Sequence, residues 1–319
     1  MDGRARELID ILLALLTIGI LVVAVFMAPR SDALDNSSRV PVLLYHPQSI
    51  GHNCNADDTD VLALERDLAI LREEGFSVIP ASAAVGWYLG WQSGDSLPAR
   101  AVVVTTDDGH DRNYLRTPNQ IRACAGNLPS VRELAERYQA HITLFVIGSP
   151  AAREAIKAGV HSDNWWWEAQ HHPLLDVQNH SIDHEHSQIT HQISDPEIPA
   201  LLPAAGHADG QWHGRLDPLR WNNWASADLA FRAAAKYIER ESGWPPQLVA
   251  HPMGVVSPYV EHIYFPSFPG RYPTYAAFCT ELPERYMTLR SRRWCLPRMT
   301  HLVSWRTGEE LRAILRGAE

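Results

Sequence analysis

The hydrophobic positions of this chain gather into short continuous runs separated by amphipathic stretches. Residues 40–45 (VPVLLY), 76–79, 101–105 (AVVVT), 142–147 and 248–250 are apolar without an in/out alternation, the pattern of strands covered on both faces. Between them, Leu64, Leu68 and Leu71 recur at helical spacing, with Gly75 as a C-terminal stop. Leu128, Val131, Leu134 and Tyr138 mark the inner face of a second helix. Ser226 reads as the cap of a third, whose inner face carries Phe231, Ala234 and Ile238 and which ends at Gly243 and Pro245. Near the end, Thr307 and Glu310 have capping-box spacing before a last helix. Strand and helix alternating at short intervals predict an α/β fold with a largely parallel sheet and helices outside.

Two stretches break the rhythm. Residues 162–173 contain Trp165, Trp166 and Trp167, and residues 195–224 are rich in Pro, Gly, His and Trp. Long loops in a compact domain are usually functional or disordered; the tryptophans of the second favour an ordered loop.

The N-terminus obeys a different rule. Residues 11–28 carry no charge over eighteen positions. As a helix they would extend about 27 Å, near the roughly 30 Å hydrocarbon core of a bilayer. The expected organisation is a short cytoplasmic stretch (1–10), a transmembrane anchor or uncleaved signal (11–28), a polar linker (29–39) and a catalytic domain (40–319) outside the cytoplasm, periplasmic or extracellular. A cleaved signal peptide is the alternative.

Composition narrows the chemistry. With 319 residues, 45% of them hydrophobic, the chain can bury a large core. Its net charge of -9 and lack of a basic block argue against a nucleic-acid partner. Nine of the sixteen histidines fall between His161 and His213, which raises the question of a metal. The four cysteines show no CxxC spacing; Cys279 and Cys295 could bridge in an oxidising compartment, and buried thiols are the alternative.

Asp107, Asp108 and Gly109 directly follow the apolar strand 101–105, at the end where ligands gather in parallel sheets. One acid could bind a metal while its neighbour accepts a proton; a surface turn is the bland reading. His180 and His184, in NHSIDHEH, would share one face if this segment were a helical turn. One Asp and two His make a facial ligand set with open positions, suited to polarising a carbonyl and activating water.

With these segments in view, the sequence resembles the polysaccharide deacetylase family, also called the NodB-homology or family 4 carbohydrate esterase group. The resemblance is carried by Thr105-Thr106-Asp107-Asp108-Gly109, where Thr106 replaces the usual aromatic, and by Asn179 followed by His180-Ser181-Ile182-Asp183-His184. PVLLYH at 41–46 and TLFVIG at 143–148 add to it, over about residues 40–315, and the early YH segment points to one subgroup.

The resemblance implies a NodB-like distorted (β/α) barrel with mostly parallel strands. It also implies a hydrolase that removes acetyl groups, N-acetyl preferred, from an acetylated polysaccharide or cell-wall glycan. Asp108, His180 and His184 would hold a divalent cation, zinc or else Co2+, Ni2+ or Fe2+, and Asp107 would act as general base. The general acid would be His46, preferred to His301. Where many relatives have Arg-x-Pro-x-Gly, this chain has Ala250-His251-Pro252-Met253-Gly254, so His251 is the expected stand-in for the arginine that pairs with the base. Trp212, Trp221 and Trp224 are the candidates for a sugar-binding groove, whereas Trp165, Trp166 and Trp167 are read as packing residues. An O-deacetylase, an amidase acting on a non-sugar substrate and a noncatalytic glycan-binding domain are the competing readings.

Overall fold

The computed structural model of the chain describes residues 39–48, 53–91, 97–117, 128–150, 152–153, 160–184, 221–267, 274–280 and 282–317. The expected anchor at 11–28 and most of the loop at 195–224, including Trp212, lie outside the described residues. Among the described residues no helix is long and apolar enough to cross a membrane.

Among the described residues nine strands form one sheet: β1 (Val40–Tyr45), β2 (Ser77–Ile79), β3 (Ala101–Thr106), β4 (Ile142–Val146), β5 (Leu175–Asn179), β6 (Leu248–Ala250), β7 (Ala276–Thr280), β8 (Tyr286–Met287) and β9 (Leu296–Thr300). Seven of them, in the order β3-β4-β5-β6-β7-β9-β1, close into a parallel ring because β1 also pairs with β3, from Val42 opposite Val103 to Tyr45 opposite Thr106. β2 adds to the start of β3, and β8 runs antiparallel along the start of β1. A ring of parallel strands puts every carboxyl end on one rim and every strand start on the opposite pole.

Helices return the chain between strands: α1 (Asp60–Glu73), α2 (Ala81–Tyr88), α3 (Val131–Tyr138), α4 (Trp166–Gln170), α5 (Trp224–Ser242) and α6 (Gly308–Leu315). One core layer lies between the ring and the outer helices, joining Leu43, Val102, Val104, Leu144 and Val177 to Leu64, Leu68, Leu134, Trp166 and Leu311. A second core fills the barrel, where Val42, Val103, Phe145, Ala250 and Phe278 meet. Phe145 and Phe278, on strands that are not neighbours, stand 5.8 Å apart between ring centroids, so they meet across the interior. α2 joins this inner core through Ala81, Ala84, Val85, Trp87 and Tyr88 and plugs the strand-start mouth. Its sequence ASAAVGWY has no charged face to give to water.

Several local expectations change. The cap of α5 is Asn223, whose side chain accepts from the Ser226 N–H, so Ser226 lies inside the helix it was expected to start. Ser130 starts α3 with a full capping box to Glu133, later than the apolar pattern from Leu128 predicts. The stretch 162–173 contains α4, in which Trp166 is fully buried and Trp167 is 54% exposed. The capping box of Thr307 and Glu310 is present.

Cys279 on β7 and Cys295 just before β9 form a disulfide across a separation of 16 residues. Closing a loop of that size removes unfolded-state entropy worth about 3 kcal/mol. The double variant C279A/C295A should therefore unfold at lower denaturant, by about 2–4 kcal/mol. Equilibrium unfolding under non-reducing conditions measures this, and an unchanged midpoint would show that the bridge does not constrain the chain.

Candidate active site

The rim is assembled by main-chain hydrogen bonds. The Asp107 N–H donates to the Tyr45 carbonyl at 3.2 Å, the His301 N–H to the Leu44 carbonyl at 3.0 Å and the His180 N–H to the Val146 carbonyl at 2.9 Å. Residues far apart in sequence thus emerge side by side from β1, β3, β5 and β9.

Asp108 turns out of β3 with φ of 72°, a left-handed conformation that Asp tolerates better than most residues. Gly109 follows at φ 75°, where an added Cβ would meet Val146 at 3.0 Å. His180 and His184 do not share a helical turn as expected. They flank a tight loop with Ser181 at φ 67° and His184 at φ 48°. Asn179 holds that loop, donating to the Phe231 carbonyl at 2.9 Å and accepting the Ser181 N–H at 2.8 Å.

One ligand atom each from Asp108, His180 and His184 lies within 4.8 Å of the others. Asp108 Oδ1 is 3.5 Å from Nε2 of both histidines. His180 donates Nδ1–H to the Ala250 carbonyl at 2.9 Å, which fixes its tautomer and leaves the Nε2 lone pair facing the cluster. His180 Nε2 and Asp108 Oδ1 are buried without a hydrogen-bond partner, an arrangement that costs free energy unless a cation completes it. The donor set therefore fits a divalent metal. Asp108 Oδ2 receives the Gln48 side-chain amide. Burial works against ionisation of Asp108, but His184, His180 and His46 outweigh it and hold the carboxyl well below the ordinary range.

Asp107 points into the barrel beside the cluster, its Oδ2 3.6 Å from His180 Nε2. Arg298 of β9 grips it with two hydrogen bonds of 2.7 Å, and both side chains are buried. Burial raises the proton affinity of Asp107, yet Arg298, His180 and His46 together leave its pKa lowered. Here the expectation for His251 is overturned. Its Nε2–H donates to the Trp294 carbonyl at 3.0 Å, and burial pushes its pKa down to about 3, so it is neutral and does not serve Asp107. The guanidinium comes from β9, two strands along the ring from β6, where the sequence pattern looks for it.

His46 and His301 both reach the rim and are joined by a residue that no motif marks. Asp60, in the first turn of α1 and 1% exposed, accepts His301 Nδ1–H on Oδ1 at 2.5 Å. Its other oxygen accepts the His46 backbone N–H and lies 3.9 Å from His46 Nδ1. His301 stacks on Tyr45, whose hydroxyl donates to the buried Asp67, so this side of the rim is rigidly supported. The His46 side chain is 28% exposed.

The tryptophans separate. Trp221 is 1% exposed and packs edge-on against Phe231 at 4.9 Å, so it is a core residue and not part of a sugar groove. Trp224 is 39% exposed beside Tyr264.

Gln48, Asp60 and Arg298 have no motif to announce them. The signal available for Arg298 is a charge inside the otherwise buried strand LPRMT, which demands a buried partner. Asp60 reads as an ordinary acid in a helix first turn.

No family model and no curated protein matches the chain. Solved structures do match in fold. The Streptococcus pyogenes deacetylase PplD, in complex with acetate, superposes with a TM-score of 0.58 at 13% identity, over 88% of this chain and 99% of that one. IcaB from Ammonifex degensii gives 0.54 at 16% identity, over 88% and 97%. The deacetylase domain of BpsB from Bordetella bronchiseptica gives 0.54 at 15% identity, over 84% and 97%. The chain therefore shares the barrel fold of these proteins.

The ligand geometry makes a direct prediction. The metal-free protein should take up one Co2+ per chain with visible absorption, and D108A or H184A should weaken that binding by at least about tenfold. Undiminished affinity in both variants would dismiss the site.

Proposed function

We propose that this chain is a metal-dependent hydrolase that removes acetyl groups, N-acetyl in preference to O-acetyl, from a polysaccharide. The observation that carries the reading is the pairing of two differently tuned carboxylates. Asp108 converges with His180 and His184 within 4.8 Å, while Asp107 next to it is reserved by Arg298 and kept ionised. The likeness in fold to solved deacetylases, among them one from Bacillus cereus described as a polysaccharide deacetylase, supports the same reaction and substrate class.

A divalent cation held by Asp108, His180 and His184, zinc in this reading, would polarise the acetyl carbonyl and lower the pKa of water at the site. Asp107 then takes the proton of the attacking water as general base. Arg298 fixes the direction of that carboxylate and keeps it available as an acceptor. His180, buried and held by the Ala250 carbonyl, cannot swing away from the rim. We assign His46 as the acid that protonates the leaving nitrogen, because it is the more exposed of the two histidines, with 28% of its side chain accessible beside the rim, whereas His301 is buried. His301 acts behind it through Asp60.

The uncharged run at 11–28 supports placement of the barrel outside the cytoplasm, tethered to a membrane, where acetylated exported glycans are found. The disulfide is in keeping with an oxidising compartment.

Purified protein should release acetate from N-acetylglucosamine oligomers, lose that activity with a chelator and regain it with Zn2+ or Co2+. Acetate release only from O-acetylated substrates would select the esterase reading, and none from any acetylated glycan, with metal bound, would refute catalysis. H46A should lower kcat by about 10²- to 10⁴-fold with metal still bound. If H301A does so instead, the assignment of the acid is wrong.

Arg298 provides a pH test with a fixed sign. Its guanidinium lowers the Asp107 pKa, so replacing it by Met raises that pKa, and the acid limb of the kcat/KM profile should move to higher pH. R298K, which keeps the charge and loses the two-pronged geometry, should move it less. An unmoved limb in R298M would exclude Asp107 as the base.

A further inference from the structure

The exposed aromatic side chains of the described residues are unevenly placed. Trp224 lies toward the rim, but Trp91, Trp167 and Trp244, at 58%, 54% and 60% exposed, belong to the strand-start pole. Contacts fix them there. Trp91 meets Tyr275 edge-on at 4.6 Å, and Tyr275 directly precedes β7. The Tyr275 N–H donates to the Gln247 carbonyl at 2.7 Å, just before β6 and three residues beyond Trp244. Trp167 packs on Gly243, the C-cap of α5, so closely that an added Cβ would meet its ring at 2.2 Å.

Arginines border the same pole. Arg39 precedes β1, Arg100 precedes β3, and Arg290 and Arg293 lie in the loop before β9, although the whole chain is acidic at -9. Acidic groups reach this end too, from the last turns of the helices. Glu241 there is paired with Arg240 at 2.6 Å, while Glu73 and Glu74 share Arg312 at 3.1 and 3.4 Å.

The chain also enters the barrel at this pole. Val40, the first residue of β1, follows the polar linker 29–39, which follows the uncharged run 11–28. Eleven linker residues span at most about 40 Å. A module joined to a surface by so short a linker experiences an effective concentration of about millimolar, so even a weak face becomes occupied.

We propose that the strand-start pole of the barrel rests on an anionic lipid surface, with Trp91, Trp167 and Trp244 seated among the headgroups and the bordering arginines over acidic lipid. Indole rings prefer the membrane–water interface, and basic side chains are drawn to acidic headgroups. The active-site rim, at the opposite end of a parallel ring, then faces away from the bilayer toward glycan. This rests on the reading of residues 11–28 as a membrane anchor.

The test uses the full chain reconstituted in vesicles of phosphatidylcholine and phosphatidylglycerol, three to one, with and without brominated acyl chains. Bromine should quench part of the tryptophan emission, and in W91F/W167F/W244F that quenchable part should fall by about half or more. R100E/R290E, or omission of phosphatidylglycerol, should reduce it as well. Acetate release by the triple variant on a soluble oligomer reports that it is folded; if it is not, the single variants W91F and W244F replace it. Quenching unchanged in a membrane-bound variant overturns the proposal. So does quenching in the wild type that is lost only when N-acetylglucosamine oligomers are added, which would make the pole a glycan surface. Alkaline carbonate extraction separates the anchor from the pole. A chain that washes off has no anchor, and the pole is then judged by whether the triple variant loses low-salt co-sedimentation with these vesicles, retention counting against it.

Discussion

The position of β1 between β3 and β9 is the constraint on which the site depends. Its parallel pairing with β3 runs to Tyr45 opposite Thr106, and with β9 to Leu44 opposite Thr300. Those registers bring His46, Asp107 and His301, the residues that follow the three paired ends, to one level of the rim. Because side chains alternate along a strand, a slip of one residue would send Asp107 out of the barrel and away from Arg298. The closed ring leaves no free edge on which such a slip could be relaxed.

The chemistry then rests on burying charge only in matched sets. Asp107 and Arg298 satisfy each other inside the barrel, and Asp60 serves His46 and His301 at its edge. Asp67 ties together Tyr45, Trp305 and Arg66 about two turns further along α1. Breaking one member of such a set strands a charge in low dielectric, at a cost of about 3–5 kcal/mol. Asp108 and His180 are different, since Asp108 Oδ1 and His180 Nε2, where they converge with His184, have no hydrogen-bond partner. That contrast marks the place where the protein asks for something from outside.

Much of this was legible before any coordinates. Continuous apolar runs report strands covered on both faces, and the acids at the end of 101–105 stand where a parallel sheet gathers its ligands, whereas the strand 175–179 that carries His180 has no such run and the histidines read as a helical turn. Short-range chemistry was readable when both partners lie within one turn, as in the box of Thr307 and Glu310. It failed where a nearer residue competes, so that Asn223 rather than Ser226 caps α5. The deeper failures are long-range. Arg298 and Asp107 are 191 residues apart, and His301 and Asp60 are 241 apart, so no local pattern can pair them. Trp221 misled for a related reason: a polar neighbourhood in sequence does not say whether an indole faces water or Phe231.

The plug formed by α2 makes the barrel a blind pit. With Trp87 and Tyr88 buried against the strand starts, the described residues close that mouth, and Asp107 is approached from the rim. Substrate, water, product and any ion bound by Asp108 must therefore use the same doorway and take turns. A glycan lying across it would also act as a stopper, slowing both the loss of the ion and its capture by a competing chelator.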